Sequence, residues 1–115
     1  MSYSKSLVHR IRQAVAGRGE TTEKKMFGGV AFLLRGNMLV GVWKNSLIAR
    51  LGADQAETAL LDPHVKAFDI TGRPMKGWVM VEPEGIETDG QLQQWIELAR
   101  TFVGELPEKN RHFTD

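Results

Sequence analysis

The chain has 115 residues, of which 42% are hydrophobic and 25% charged, as in a single globular domain of ordinary composition. Its 15 basic and 14 acidic residues are interspersed, and the resulting net charge of +1 argues against a dedicated nucleic-acid-binding protein, which needs an excess of positive charge. The lack of cysteine excludes disulfides and thiolate chemistry, and the absence of a long apolar run predicts a cytoplasmic protein without a membrane span.

The first predicted element is a short amphipathic helix over residues 4 to 16, where apolar residues recur at helical spacing. Ser4 or Ser6 can cap its start, and Gly17 can end it. Its apolar face consists of Leu7, Ile11, Ala14 and Val15. We interpret residues 17 to 25 as a polar link that contains no element.

A three-stranded antiparallel meander is predicted over residues 26 to 51, which are rich in β-branched, aromatic and leucine side chains. Two turn signals, Gly36-Asn37 and Asn45-Ser46, divide this region into apolar runs of strand length.

A second helix and a fourth strand follow. Residues 52 to 61 predict the helix, and Asp62-Pro63 ends it because the residue before a proline disfavours helical geometry. The stretch "MKGWVMVEP", from 75 to 83, predicts the strand, with side chains alternating between two partly covered faces.

The last predicted element is an amphipathic helix that begins at Thr88 and ends before Pro107. Thr88 and Gln91 have the spacing of a capping box. The apolar stripe that follows contains Leu92, Trp95, Ile96, Ala99, Phe102, Val103 and Leu106. A helix with this stripe must pack on a core, whereas residues 108 to 115 are typical of a polar tail.

These elements predict one α+β domain over residues 1 to 107, in the order helix, three strands, helix, strand, helix. The simplest architecture is an antiparallel sheet of about four strands with helices packed mainly against one face. If Trp43 and Trp78 line the other face, that face is apolar enough to predict a homodimer through the sheet.

Four segments together resemble a known family. They are "KKMFGGVAF", "GNMLVGV", "LIARL" and "FDITGRPMKGWVMV". Residues 20 to 107 resemble the N-terminal domain family of the TfoX/Sxy competence regulators. The resemblance implies an antiparallel α+β fold of the kind seen in secretion-chaperone-like and YjbR-like proteins, and it implies no reaction. Full-length regulators carry a second, helical domain, so we expect a stand-alone N-terminal domain here.

Two glycine-containing motifs are interpreted first as structural. In "MFGG", formed by Met26, Phe27, Gly28 and Gly29, the glycines lead into a strand, whereas a P-loop opens a helix with Lys-Ser/Thr. We therefore expect a bulge or a close backbone approach. In "GRPMKGWV", at 72 to 79, a turn entering the fourth strand would use Gly72, Pro74 and Gly77.

The same "GRPMKGWV" segment is the main candidate binding site. The hypothesis involves Arg73, Lys76, Trp78 and Arg50. If the cations converge, they can bind a carboxylate or phosphate, with Arg73 able to bind it bidentately. Alternatively, Arg73 pairs with Asp69 or Glu82 and Lys76 is solvated.

No catalytic or metal-binding set is apparent. His9, His64 and His112 lack metal-ligand spacing, and Ser46 lacks the surroundings of a hydrolytic nucleophile. We therefore expect no enzyme, cofactor or metal, but a cytoplasmic interaction module that binds a protein partner; the resemblance implies a link to transcriptional or competence regulation. The first alternative is a small-molecule anion-binding domain using Arg73 and Lys76. The second, ranked last because the charge is nearly balanced and makes direct binding of nucleic acid unexpected, is a nucleic-acid-associated regulator, whose affinity for nucleic acid would fall steeply with added salt.

Overall fold

The computed structural model describes residues 3–16, 21–26, 28–69 and 75–108. These form a mixed α/β fold whose elements follow the order α1 (Lys5–Val15), β1 (Thr21–Met26), β2 (Gly29–Leu34), β3 (Asn37–Trp43), β4 (Ser46–Arg50), α2 (Ala53–Ala59), β5 (Val65–Ala67), β6 (Trp78–Val81) and α3 (Asp89–Val103). A single 3-10 turn, Pro83–Gly85, precedes α3. The strands form one antiparallel sheet in the order β1-β2-β3-β4-β6-β5.

The prediction of about four strands was wrong, because the sheet has six. Strand β1 lies mostly in the predicted polar link and pairs with β2 from Thr21↔Leu34 to Met26↔Gly29. Its side chains are mostly exposed, so the strand is held at the sheet edge by backbone hydrogen bonds and not by burial of its side chains. Strand β5 has only three residues, too few for a recognisable alternation pattern.

The predicted meander corresponds to β2, β3 and β4, but both turns lie one residue earlier than the sequence signals. The register pairs Leu34 with Asn37 and Trp43 with Ser46, which leaves two-residue loops at 35–36 and 44–45. Arg35 and Lys44 have φ values of 50° and 56° there. Positive φ in a two-residue loop matches the right-handed twist of the flanking strands.

The core lies between the helices and one face of the sheet. Buried residues of α1 and α3, including Ile11 and Ile96 at 0% exposure, belong to the same cluster as sheet residues such as Phe32 and Val79. A bulge in β3 opposite Phe32 adds to this core, because both Leu39 and Val40 are fully buried.

The helix ends are defined by side chains and by contacts with the sheet. The Ser4 hydroxyl accepts a hydrogen bond from the Leu7 amide at 3.0 Å. Thr88 and Gln91 form the predicted capping box at the start of α3. Helix α3 ends earlier than predicted, at Val103, and the following chain is held to the β2–β3 turn, where Arg35 donates to the Gly104 carbonyl at 2.8 Å.

The second face of the sheet is also largely apolar. By strand alternation it carries the half-buried side chains of Met38, Trp43, Trp78 and Met80, with Ile48 buried among them at 2% exposure. A homodimer through this face remains a prediction.

Candidate functional site

Arg50 and Trp78 lie side by side at one end of the sheet. Arg50 is the last residue of β4, Trp78 is the first of β6, and the two are directly paired in the register. The guanidinium carbon lies 5.2 Å from the Trp78 ring centre and 5.9 Å from the ring centre of Phe102, on α3. Arg50 therefore makes cation–π contacts with rings from the sheet and from a helix.

The charge of Arg50 has no carboxylate partner among the residues that the structure describes. Ion pairs in this part of the chain include Arg10–Asp89, Arg12–Glu23 and Lys66–Glu82, and Arg50 belongs to none of them. Arg50 is half-buried, so part of the residue remains accessible to solvent. A guanidinium can donate two parallel hydrogen bonds to an incoming carboxylate or phosphate.

Lys76 belongs to a tight turn that enters β6, and the backbone of this turn is bonded to the chain just after Arg50. The Trp78 amide donates to the Met75 carbonyl at 3.1 Å, and Gly77 has a φ of 88°. The Gly77 carbonyl accepts from the amides of Leu51 and Gly52, at 2.9 and 3.1 Å. These bonds fix exposed Lys76 beside the end of β4, where Arg50 is.

We name the group Arg50, Lys76, Trp78 and Phe102 the basic–aromatic edge. The structure thus brings together three of the four predicted binding residues. The fourth, Arg73, lies outside the described residues, as do Gly72 and Pro74. Of the proposed partners of Arg73, Glu82 is paired with Lys66 at 3.0 Å.

Sequence reasoning missed two residues that shape this edge. Phe102 was predicted only as a core residue, but its ring also faces Arg50. Gly52 has a φ of 85°, and a Cβ atom there would lie 2.6 Å from the Phe102 ring. The sequence offers one signal for the special role of Gly52, which is its place directly after "LIARL", between a predicted strand and a predicted helix.

The glycines of the "MFGG" motif lie where β1 leads into β2, at the end of the sheet opposite to the basic–aromatic edge, and they have a structural role. A Cβ atom on Gly29 would lie 1.9 Å from the Val42 carbonyl oxygen, so glycine permits the close approach of β2 and β3. Gly28 has a φ of 76°, and Met26 pairs with Gly29 in the last register position. Phe27 lies outside the described residues.

Two further observations concern the described part of the chain. No group of three His, Asp or Glu side chains there has the arrangement of a metal site. None of its helices combines the length and the apolar character needed to cross a bilayer.

Comparison with known families agrees with the motifs of the chain. The model of the TfoX N-terminal domain matches residues 13–103, which include "MFGG", "LIARL" and the basic–aromatic edge. No curated protein gives a significant match. Because the family model covers most of its length, the chain belongs to the TfoX N-terminal domain family.

Proposed function

We propose that the protein is a non-enzymatic regulatory module of the cytoplasm that binds a protein partner through the basic–aromatic edge. The observation that carries the proposal is Arg50, a half-buried cation on two aromatic rings without a carboxylate partner among the described residues. Family membership supports a role related to competence regulation.

The composition of the edge indicates what it would recognise. Arginine and tryptophan are enriched among residues that dominate binding energy at protein interfaces. The guanidinium offers paired donors to a carboxylate, exposed Lys76 adds positive charge, and Trp78 offers apolar surface. We therefore propose an acidic partner segment whose carboxylate binds Arg50 while a neighbouring side chain packs on Trp78.

Affinity capture from a lysate of the native host, followed by calorimetry with the purified partner, tests this function. The variant Arg50→Gln/Lys76→Ala removes both charges of the edge, whereas Lys24→Ala removes an exposed charge of β1 as a matched control. We expect the wild type and the control to bind the same protein and the double variant to lose it. Equal affinity for all three proteins would exclude the edge as the binding surface.

A small-molecule anion is the second candidate ligand, favoured by the same cation without a carboxylate partner among the described residues. A ligand that binds only the folded state raises its thermal stability. Phosphorylated metabolites and carboxylates should then raise the melting temperature of the wild type but not of Arg50→Gln. If no compound raises it, the anion-binding function is wrong, and the protein-binding function is unaffected.

A further inference from the structure

Helix α3 carries a second apolar stripe beside its buried one. The buried stripe consists of Leu92, Ile96, Ala99 and Val103. The second consists of Trp95, Leu98 and Phe102, at spacings of three and four; the first and last are partly buried, whereas Leu98 is 36% exposed. The apolar surface of α3 is therefore wider than the core requires.

Two open clefts run along this second stripe. One has a volume of about 690 Å³ and includes Asp62, Trp95 and Leu98; the other has about 370 Å³ and includes Asp54, Leu98 and Phe102. Leu98 and Thr101 line both. We call the combined surface the α3 groove. Its α3 residues extend from Gly90 to Phe102, which corresponds to roughly 18 Å of helix.

Two exposed leucines directly precede Asp62 of the groove in the chain. Leu60 and Leu61, which follow α2, are 42% and 84% exposed, although neither lines the clefts. Exposed large apolar side chains are typical of protein-binding surfaces when they form a contiguous patch.

The rim of the α3 groove is acidic. The carboxylates that line it include Asp54, Asp62 and Glu105, and no described lysine or arginine lines either cleft. The whole chain has 15 basic and 14 acidic residues, so this excess of negative charge is local. Arg50 lies over the Phe102 ring at one end of the groove.

We propose that the α3 groove binds a basic amphipathic helix of a partner protein. Its length matches about three helical turns, its apolar floor suits side chains at positions i, i+4 and i+7, and its rim complements lysine and arginine. Nucleic acids and anionic lipid surfaces are repelled by the same charge. This surface meets the basic–aromatic edge at Phe102, and the edge would bind an acidic segment instead.

Designed peptides of about 18 residues, long enough to cover the groove, test the proposal. One carries leucines along one helical face and lysines elsewhere, a second has glutamates in place of the lysines, and a third is a scramble of the first. Fluorescence anisotropy should show the lysine peptide binding at least about tenfold more tightly than the other two, and less tightly in high salt. If it binds no more tightly than the scramble, the proposal is wrong.

Two surface variants locate the binding site. Leu98→Lys places a charge on the exposed groove floor, whereas Gln13→Lys adds the same charge to an exposed position of α1 as a control. With both variants as stable as the wild type, we expect Leu98→Lys to weaken binding of the lysine peptide about tenfold or more and Gln13→Lys to leave it unchanged. Unchanged binding by Leu98→Lys would overturn the proposal. The proposal would also be overturned if light scattering found the wild type to be a dimer and Leu98→Lys a monomer, because a second copy of the chain would then occupy the groove.

Discussion

The amide of Gly52 donates a hydrogen bond to the carbonyl of Gly77 at 3.1 Å, and this bond joins the two ends of the basic–aromatic edge. Both glycines have positive φ, 85° at Gly52 and 88° at Gly77. The bond holds the turn that carries Lys76 against the segment that follows Arg50. The backbone conformation of two glycines therefore determines where the cations of the edge lie.

The substitution Gly52→Ala should destabilise the protein by about 1–3 kcal/mol, because a Cβ atom would be strained at this φ and would clash with the Phe102 ring. Gly90→Ala is the matched control. Gly90 lies in the first turn of α3, and the nearest atom to an added Cβ, the Thr88 hydroxyl oxygen, is 3.9 Å away. Reduced freedom of the unfolded chain should make that variant about 0.4–1 kcal/mol more stable. Urea unfolding measures both; equal effects would contradict the close packing of Gly52.

Ile96 and Leu98 provide a second contrast, within one helix. Ile96 is fully buried, so Ile96→Ala should cost about 2–5 kcal/mol. Leu98 is 36% exposed, and Leu98→Ala should cost about 1 kcal/mol or less. Both substitutions introduce alanine into α3, which limits differences in helix propensity. Similar losses in urea unfolding would mean that Leu98 belongs to the core and not to an accessible groove.

The apolar second face of the sheet predicts a homodimer that a charge should disrupt. Trp43 is half-buried on this face and does not belong to the main core cluster. Trp43→Lys should therefore shift the protein towards monomer in sedimentation equilibrium, whereas Gln13→Lys, at an exposed position of α1, should not. A wild type that stays monomeric at every concentration would contradict the dimer.

The sequence could predict the elements that bury side chains in a regular pattern. The β2–β4 meander was predicted from apolar runs of strand length separated by turn residues, and α3 from its apolar stripe and the Thr88 capping box. Strand β1 was missed because "TTEKKM" is polar, and only its pairing with β2 makes it a strand. A polar edge strand of this kind has no apolar signal in its own sequence.

The candidate site could be predicted only in part. Arg50 and Trp78 both belong to segments that the sequence singled out, but their contact depends on the β4–β6 register, with α2 and β5 between them in the chain. Phe102 joins them because α3 packs against β3 and β4. Contacts between distant segments of this kind depend on tertiary packing, which local patterns do not specify.

The Arg12–Glu23 pair predicts how stability depends on pH. Arg12 donates to both carboxylate oxygens of Glu23, at 2.6 and 2.8 Å, and joins α1 to β1. These hydrogen bonds, with the opposite charge of Arg12, lower the pKa of Glu23. A carboxylate whose pKa is lowered by folding stabilises the folded state above its unfolded pKa of about 4.3, and this contribution is lost as the pH falls through the lower folded pKa.

Glu23→Gln should therefore be less stable than the wild type at neutral pH and approach it in acid, as the wild-type carboxylate becomes protonated. Because both side chains are partly exposed, we expect a modest difference that salt reduces. Urea unfolding across the acidic range measures it, and Arg12→Gln should show the same convergence because it breaks the same pair from the other side. A difference between wild type and Glu23→Gln that persists unchanged in strong acid would show that the ion pair does not cause it.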